Sequence, residues 1–318
     1  MSMTTIPTFT AEDFELELGM PHLGRNGLSE SAFLKSIGHD RWLLLERVGG
    51  VRTHKIRDDF DNRLYATFCF VELMLSVERP LSSYTENERL RFSRDLSHYG
   101  RVYLDGRYRL IGQGPFEMRC TNVFIYQLAG PQQLKMAQPE NCDFSRIAEL
   151  PCQPDSLDLC RLSKASGTFD GPDANNGRLG SIEVRYRLDP DRDANGANLI
   201  YFANFVCFLD FAERVLLRSH AAPDDVMDAR STYWRRLGYF GNAVATDQLD
   251  ITIRGGIETQ NDQFVILAFD YRVHRVSDNK LILVSSARKS LLLNDNARSW
   301  VNQLNQTLSK EDDGQHTS

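Results

Sequence analysis

Several features are scarce or missing in this chain of 318 residues. Its six cysteines include no C-x-x-C pair, and Cys69 and Cys207 lie inside apolar runs, which predicts buried, reduced thiols rather than a zinc site or a disulfide framework. No stretch approaches about 18 uninterrupted apolar residues, so no membrane-spanning helix is expected. The formal net charge of −6 argues against a general nucleic-acid binder, because neutralising phosphates needs a basic face.

Motifs of the common nucleophilic and metal-dependent mechanisms are also missing. The sequence contains no G-x-S-x-G, no G-K-[ST] loop and no H-E-x-x-H, which excludes the mechanisms that depend on these motifs. Residues 1–19 hold four acidic residues and neither a basic nor an apolar segment, which predicts a cytoplasmic protein. The overall composition, 42% apolar and 25% charged, is typical of a globular protein. The chain is long enough for two domains or one double-sized domain.

One pattern occurs twice along the chain. Residues 14–37 and 182–217 each read as an alternating strand, a turn and an apolar helix. Both turns carry Pro-x-x-x-x-Asn-Gly, at 21–27 and at 190–196. Asn-Gly alone is a common turn dipeptide, but the strand before it and the helix after it make coincidence a weaker explanation. The two helices are predicted to cover about 28–37 and 198–217.

Each predicted helix is followed by β-rich sequence. Asp105-Gly106 is predicted to be a hairpin turn, and the segment 130–180, rich in Pro, Gln, Ser, Asp and Gly, is predicted to be a linker. Residues past Trp300 are expected to form a fraying polar tail. The predicted strands cover 65–75, 100–104, 107–111, 121–128, 249–253, 263–273 and 281–293.

These patterns predict an α+β protein with a double hot-dog fold. Each half is a strand, a long helix and an antiparallel meander whose apolar face must cover that helix. The predicted domains are an N-terminal hot-dog repeat over 1–165, with the linker from about 130, and a C-terminal repeat over 166–318. Whether two chains associate is left open, and a homodimer is one option.

Two segments resemble a known family. The stretch 20–30, followed by Gly38-His-Asp-Arg-Trp42, and the stretch 201–213 are similar to LnmK-type bifunctional acyltransferase/decarboxylases, double hot-dog proteins of polyketide and related biosynthesis. The resemblance extends over about 14–293. It implies decarboxylation of methylmalonyl-CoA and transfer of the propionyl group to an acyl carrier protein. The coenzyme A thioester is the substrate, and the resemblance implies neither a metal nor an organic cofactor.

The resemblance also implies a catalytic tyrosine shortly after the first helix, which corresponds to Tyr65. This side chain could be a nucleophile that forms an acyl-tyrosine or a hydrogen-bond donor to the thioester or carboxylate. Nucleophilic use would require the phenol pKa to fall below about 10. Without the resemblance, Tyr65 reads simply as the first residue of a strand.

Decarboxylation of a thioester places negative charge on the thioester oxygen. Free backbone N–H groups at a helix N-terminus could stabilise that charge, and the glycines of both Asn-Gly turns would let a thioester approach the backbone. Alternatively, both glycines only turn the chain into the helix. The thioester-binding candidates are Asn26, Gly27, Leu28, Asn195 and Gly196.

Three other titratable residues are candidates for acid–base catalysis. His22 lies nearest the first turn and is a candidate to line the pocket, in keeping with the histidine that a hot-dog dehydratase would use. His39 follows Gly38 and is expected to interact with the C-terminal end of the first helix, where a cation is favoured. Asp193 precedes the second Asn-Gly as the acid of some hot-dog thioesterases precedes the helix, and its alternative role is that of a turn aspartate.

Two arginine clusters could serve as landing sites for coenzyme A phosphates or for an acidic carrier protein. Acidic residues are interspersed among these arginines, so an equal alternative is that the clusters are ordinary solvent-exposed surface without a binding role. The clusters are Arg89, Arg91, Arg94, Arg101, Arg107 and Arg109, and the pair Arg235-Arg236.

Three functions follow as hypotheses. The first is the decarboxylating acyltransferase. The second is a different thioester enzyme on the same fold, either a thioesterase or a dehydratase acting on an acyl-CoA or acyl-carrier thioester. The third is a non-catalytic double hot-dog that binds an acyl carrier protein.

Overall fold

The computed structural model of the protein describes residues 12–129, 132–169, 179–244 and 246–315, the last nine without their side chains. The first half contains one long helix and a series of antiparallel strands. Its elements are β1 (Phe14–Glu17), β2 (Leu23–Gly24), β3 (Gly27–Leu28), α1 (Glu30–Gly49), β4 (Tyr65–Leu75), β5 (Arg89–Arg94), β6 (Ser97–Tyr99), β7 (Tyr103–Leu110), β8 (Phe116–Gln127), β9 (Leu134–Met136), β10 (Ala148–Glu149) and α2 (Asp155–Ser166).

The second half repeats this order with longer strands. A short 3-10 helix at Phe202–Asn204 leads directly into its central helix. Its elements are β11 (Ser181–Arg187), α3 (Pro190–Asp193), α4 (Phe205–Ser219), α5 (Asp224–Ala229), β12 (Arg230–Tyr239), β13 (Gln248–Gln260), β14 (Phe264–Arg275), β15 (Lys280–Leu292) and α6 (Asp295–Gln315).

The two halves share one sheet. Its main path is β1-β5-β7-β8-β4-β12-β15-β14-β13-β11, and the order on one side of the β4–β12 pair mirrors the order on the other. β4 and β12 are antiparallel, with Met74 opposite Trp234 and Phe70 opposite Gly238. On this path each half contributes five strands, and the two sets join through β4 and β12; β6, β9 and β10 of the first half pair beside the path. This architecture confirms the predicted α+β double hot-dog fold.

The helix α1 is longer than expected. Ser29 caps its start, with Oγ accepting a hydrogen bond from the Ala32 N–H at 3.3 Å, and Gly50 ends it in the left-handed conformation at φ 66°. Gly38, where the helix was expected to have ended, lies in its middle. A Cβ at Gly38 would stand 2.8 Å from Cε1 of Phe202, so this glycine provides a close approach between the halves rather than a helix end.

The helix α4 starts later than expected. The segment before the 3-10 helix is a tight loop, with turns and bends over 196–199 closed by an isolated antiparallel bridge between Ala194 and Ile200. From Phe205 onward the helix buries one face that includes Phe208, Leu209 and Leu216. These side chains belong to a hydrophobic core that also contains residues of α1 and of both halves of the sheet. The apolar sequence around Ile200 packs in this core without being helical.

Three further expectations are wrong. Asp105-Gly106 lies inside β7 rather than in a hairpin, because Gly106 leaves room for Arg41, whose Nη1 would be 2.5 Å from a Cβ at this position. The segment 130–180 is not simply a linker, since it contains α2, where Ser156 is fully buried. The chain past Trp300 continues as α6, and Val301 and Leu304 are buried against the core.

Candidate functional site

The tyrosine cavity, as we call it, has a volume of about 250 Å³ and lies between the first residues of β4 and a loop of the second half. β4 and the residues before it form one wall, and the segment 195–202 forms the opposite wall. Tyr65, Asn195 and Gly196, which sequence analysis singled out, therefore meet in one cavity. Its polar side chains are those of Trp42, Arg63, Tyr65, Thr67, Asn195, Tyr201 and Asn242.

The first-half wall presents hydrogen-bonding groups that are not used within the protein. Neither the Tyr65 hydroxyl nor the Thr67 hydroxyl has a hydrogen-bond partner among the described residues. The Arg63 guanidinium lies over the Tyr65 ring, 4.7 Å from its centroid. A cation at this distance is attracted to the face of the ring. The wall thus offers a stacked cation and two free hydroxyl groups to a ligand.

The second-half wall is held by two asparagines. The Asn195 Oδ1 accepts hydrogen bonds from the N–H groups of Ala197 at 2.9 Å and Leu199 at 3.2 Å. Asn242 binds both backbone groups of Ile200, accepting at 2.8 Å and donating at 3.1 Å. In the described part of the chain, the Asn195 Nδ2 has no acceptor. This amide is a third available donor beside Tyr65 and Thr67.

The expected helix N-terminus is not at Asn195-Gly196. Gly196 lies in the loop before Phe202–Asn204, and α4 begins only at Phe205. The idealised Cβ position at Gly196 has open space around it within 4 Å. The loop lines the cavity, but Gly196 is not at a helix N-terminus and therefore does not supply the free N–H groups that were expected there.

Asn26, Gly27 and Leu28 lie elsewhere, in the β2–β3 hairpin. Gly27 has φ 74°, and a Cβ there would be 2.6 Å from the Cα of Ser82, so close backbone approach and the left-handed conformation both require glycine. The Asn26 Nδ2 donates to the Asp228 carbonyl at 3.0 Å, and Leu28 is buried. The structure does not bring these three residues together with Tyr65.

Asn26 and Leu28 instead line a second cavity of about 200 Å³, which we call the ion-pair cavity. It lies between the first residues of β12 and the segment 24–31, so it occupies the place in the second half that the tyrosine cavity occupies in the first. Its lining is rich in charge: Glu30, Asp210, Arg214, Asp228, Arg230 and Lys289.

Glu213 is the buried centre of the charge network behind this cavity. Its carboxylate contacts Lys289 Nζ at 2.7 Å and Arg230 Nε at 2.8 Å, and it accepts a hydrogen bond from the Tyr271 hydroxyl. Burial favours a higher pKa for Glu213, but Lys289, Arg230 and Arg235 together hold the pKa well below its usual value. Glu213 is therefore charged and fully paired.

Glu30 connects the same network to α1. The Arg235 guanidinium, fully buried, lies 2.6 Å from the Glu30 carboxylate and 3.2 Å from that of Asp210. Thr232 donates a hydrogen bond to Glu30 at 3.0 Å. Burial raises the pKa of Glu30 above its usual value despite Arg235. The network joins the two halves, because Glu30 comes from the first and its partners come from the second.

None of the other acid–base candidates lines the tyrosine cavity or the ion-pair cavity. The His22 Nδ1 accepts a hydrogen bond from the Gly19 N–H at 3.1 Å, and His22 lines neither of these cavities. His39 is exposed in the middle of α1, so its expected position at a helix C-terminus is wrong. Asp193 is buried, accepts from the Asp189 N–H at 2.9 Å and pairs with Arg192 at 2.8 Å.

The arginine clusters are largely compensated by carboxylates. In the first cluster, Arg94 is buried against Asp40, and four others face acidic side chains across the strands. Arg101 donates to the Pro139 carbonyl at 3.0 Å. In the second cluster, Arg235 is buried and Arg236 pairs with Glu72. These pairings leave little uncompensated positive charge on either cluster.

A third cavity, which we call the chamber, adjoins the tyrosine cavity. Its volume is about 260 Å³, and the two cavities share Thr67, Phe68, Ile200, Phe202 and Asn242 in their linings. The rest of its lining is mixed and opens to solvent at Met136 and Lys280. Its apolar members include Val123, Ile125, Leu134, Leu157 and Phe205, and its polar members include Tyr103, Gln132 and Tyr239. The chamber could receive an apolar group attached to a ligand in the tyrosine cavity.

The lining of the tyrosine cavity and the chamber contains no acid–base residue of the usual kind. Among the described residues that line either cavity, none is Asp, Glu or His. Burial raises the pKa of the Cys160 thiol in the chamber to about 12 and that of the Cys69 thiol well above its usual value, which makes thiolate nucleophiles unfavourable there. The available chemistry is hydrogen bonding and two cations, Arg63 in the tyrosine cavity and Lys280 in the chamber.

Sequence reasoning missed several of these lining residues. Asn242 lies far along the chain from Asn195, and no spacing connects them. Thr67 looks like any other strand residue in the sequence, and Trp42 stands out only as the last residue of the Gly38–Trp42 motif. Their shared position depends on the β4–β12 pairing and on the fold of the 195–202 segment, which no local pattern encodes.

The described residues form neither a metal site nor a membrane-spanning helix. No group of three or more His, Cys, Asp or Glu is placed so that it could hold a metal ion. None of the helices in the described ranges combines the length and the apolar character needed to cross a membrane.

Comparison with solved structures shows which fold this is. A protein described as an oleoyl thioesterase from Lactobacillus plantarum matches with a TM-score of 0.62 at 9% identity, covering 91% of this chain and 100% of that one. An acyl-ACP thioesterase from Bacteroides thetaiotaomicron matches with a TM-score of 0.53 at 12% identity, covering 87% and 96%. The 12:0-ACP thioesterase from Umbellularia californica gives 0.52 at 12% identity, covering 87% and 92%.

The sequence matches no family model and no curated protein. At these low identities the structural matches establish the fold and not the activity. This chain therefore has a double hot-dog fold similar to that of acyl thioesterases along most of its length.

Proposed function

We propose that this protein is an enzyme that acts on acyl thioesters bound in the tyrosine cavity. The observation that carries the proposal is the set of hydrogen-bond donors in the tyrosine cavity, at Tyr65, Thr67 and Asn195, that have no partner among the described residues. A thioester carbonyl accepts hydrogen bonds from such donors, and apolar side chains of the cavity and the adjoining chamber could contact its acyl chain. The proposal is supported by the fold, since the three structures compared above are described as thioesterases.

The free donors of the cavity suggest how a thioester would be held. The Tyr65 hydroxyl and the Asn195 Nδ2 can donate hydrogen bonds to the thioester oxygen, where negative charge develops in the transition state. Arg63 supplies positive charge at the same wall. Tyr65 is the proposed catalytic residue, and Asn195 is proposed to bind the substrate with it.

Hydrolysis is the first reaction to test. In that reaction water adds to the thioester carbon, the C–S bond breaks, and a free acid and a thiol are released. The similarity of this fold to that of thioesterases supports hydrolysis. The thiol released would be coenzyme A or the thiol of a carrier protein. The donors at Tyr65 and Asn195 would stabilise the tetrahedral intermediate.

Decarboxylative acyl transfer is a second candidate, favoured by a specific observation. The described lining offers no Asp, Glu or His to activate water, whereas loss of carbon dioxide needs no general base. The electrons of the broken C–C bond would form a thioester enolate, which is then protonated to propionyl-CoA. The propionyl group would pass to the thiol of an acyl carrier protein and release coenzyme A. Arg63 could bind the carboxylate of methylmalonyl-CoA.

One experiment separates these reactions. The protein is incubated with methylmalonyl-CoA, propionyl-CoA and longer acyl-CoA thioesters, with and without a phosphopantetheinylated carrier protein, and the products are identified by mass spectrometry. Free acid with free coenzyme A supports hydrolysis, and propionyl-carrier from methylmalonyl-CoA supports decarboxylative transfer. Binding without any product would contradict the enzyme proposal and support a carrier-binding protein.

A further inference from the structure

The lining of the chamber suits a chain that carries both polar and apolar groups. Hydroxyl and amide side chains, among them Thr67, Tyr103 and Gln132, lie between its apolar residues. The Thr67 hydroxyl has no hydrogen-bond partner among the described residues. A saturated acyl chain would leave such groups unpaired, which costs free energy. The pantetheine arm of a thioester carries amide and hydroxyl groups between apolar carbon atoms, so it matches this lining better.

The chamber continues the tyrosine cavity along β4. Tyr65 lines the tyrosine cavity, Thr67 lines both spaces, and Cys69 lines the chamber. At about 3.3 Å per strand residue, the path from the first to the last of these positions is roughly 13 Å long. The far end of the chamber opens to solvent at Met136 and Lys280. A ligand with its carbonyl at Tyr65 can therefore extend along β4 to this opening.

Two exposed lysines flank the opening. Lys280 lines the chamber, and its Cε stands 3.5 Å from the position of a Cβ on Gly241. The Lys164 Nζ lies 5.6 Å from the centroid of the Phe240 ring, which also lines the chamber. Neither lysine forms an ion pair with any of the described residues. The two ammonium groups therefore lie on either side of the Phe240-Gly241 segment.

The carboxylates on the neighbouring segments are already bound. Asp278 accepts a hydrogen bond from the Arg275 Nε at 2.9 Å. Asp247 accepts from the Gln132 Nε2 at 2.8 Å and from the Val244 N–H at 3.0 Å. The lysines thus place positive charge at the opening, and ammonium groups bind phosphate through charge-assisted hydrogen bonds.

A thioester has two chains, the acyl group and the arm that ends in its sulfur atom, and the chamber can receive only one of them. We propose that the chamber binds the phosphopantetheine arm, with the phosphate at Lys164 and Lys280 and the acyl group on the Arg63 side of the tyrosine cavity. This inference rests on the proposed function and names the opening through which the substrate enters. Coenzyme A and carrier proteins share this arm, so both can present it.

The first test removes the charge at the opening. Binding of 4′-phosphopantetheine and of pantetheine, which lacks the phosphate, is measured by calorimetry. In the double variant Lys164→Gln/Lys280→Gln, phosphopantetheine should bind roughly 5- to 30-fold more weakly, and the difference should shrink at high salt. Binding of pantetheine should not change. Lys55→Gln is the matched control, because Lys55 is exposed and lines none of the three cavities.

The second test fills the chamber from α2. Leu157 lines the chamber, whereas Leu162 on the same helix is 65% exposed and lines none of the three cavities. Leu157→Trp should weaken binding of phosphopantetheine and of pantetheine by about tenfold or more, because the indole would overlap the arm. Leu162→Trp should bind both as the wild type does.

The outcomes separate this inference from the proposed function. It is wrong if the wild type does not bind phosphopantetheine, if the lysine variant binds it as tightly as the wild type does, or if Leu157→Trp weakens binding of decanoic acid but not of phosphopantetheine. That last result would place the acyl chain in the chamber. If phosphopantetheine binds as expected but no thioester is turned over, the arm site stands and the proposed function fails. Competition by coenzyme A, or by a carrier protein only in its phosphopantetheinylated form, identifies the source of the arm and supports the site.

Discussion

The tyrosine cavity and the ion-pair cavity occupy corresponding places in the two halves but differ in chemistry. Each lies between the start of a central strand, β4 or β12, and the loop that precedes the helix of the other half. In the tyrosine cavity the hydroxyl groups of Tyr65 and Thr67 have no partner among the described residues. In the ion-pair cavity the charged side chains of Glu30, Asp210 and Lys289 contact one another or their neighbours.

This difference shows how a duplicated scaffold divides its tasks. A buried ion pair contributes only when its charges are matched and hydrogen bonded, so the polar residues of the ion-pair cavity serve stability. The tyrosine cavity has donors without a partner among the described residues. We therefore expect substitutions at the ion-pair cavity to change the free energy of unfolding, and substitutions at the tyrosine cavity to change turnover.

The largest expected effect is on stability, from Glu213→Leu. This substitution leaves Arg230 and Lys289 buried without their central carboxylate, and breaking a buried pair in this way costs about 3–5 kcal/mol. Urea denaturation measures the change. Asp224→Asn is the control, because its pair with Arg218 is exposed and worth at most about 1 kcal/mol. A loss below 1 kcal/mol in Glu213→Leu would contradict the assigned role of the network.

The second effect is on catalysis, from Tyr65→Phe. Loss of one donor to the thioester oxygen should lower kcat by about 100- to 1,000-fold. The free energy of unfolding should change by no more than about 0.5 kcal/mol, because the hydroxyl has no partner among the described residues. Turnover of the best thioester substrate and urea denaturation are measured together.

Tyr99→Phe is the control for this variant, since Tyr99 lines none of the three cavities. Near-wild-type turnover in Tyr65→Phe would remove Tyr65 from the mechanism. If Tyr65→Phe retains decarboxylation of methylmalonyl-CoA but loses transfer, the phenol is the acyl acceptor rather than an enolate stabiliser.

The smallest effect is the acid dependence of stability. The folded-state pKa of Glu213 lies well below its usual 4.5, so its contribution is complete above pH 4.5 and is lost as the pH falls from 4.5 toward the folded-state pKa. Glu30 has a raised pKa and contributes in the opposite sense, losing stabilisation as the pH rises through its folded-state pKa. Urea unfolding of the wild type between pH 6 and pH 3 should show a net loss that is smaller in Glu213→Leu. An identical loss in both proteins would contradict this assignment.

Local patterns predicted most of the strands and both central helices, but they misjudged positions that depend on contacts between distant residues. Gly38 suggested a helix end, yet the helix continues, because the glycine accommodates Phe202 from the other half. Asp105-Gly106 suggested a hairpin, yet it lies in β7 beside Arg41. In each case the glycine serves tertiary packing, which a dipeptide signal cannot distinguish from a turn.

The candidate site was predicted only in part. Tyr65, Asn195 and Gly196 share one cavity, whereas Asn26 and Leu28 line the other, and His22 lines neither. The repeat made the two Asn-Gly turns look equivalent, and their surroundings differ. Asn195 faces a cavity with the Arg63 guanidinium and hydroxyl groups that have no partner among the described residues, while Asn26 binds the carbonyl of Asp228 beside a network of paired charges.

The sequence by itself determined the duplicated strand–turn–helix pattern, and with it the double hot-dog fold, because hydrophobic periodicity specifies which face of each element must be buried. Tertiary structure alone decided which cavity stays open to a ligand. The cavity depends on the pairing of β4 with β12 and on the packing of Phe202 against Gly38. These contacts bring together side chains from both halves that are far apart in the sequence, so no local sequence pattern predicts them.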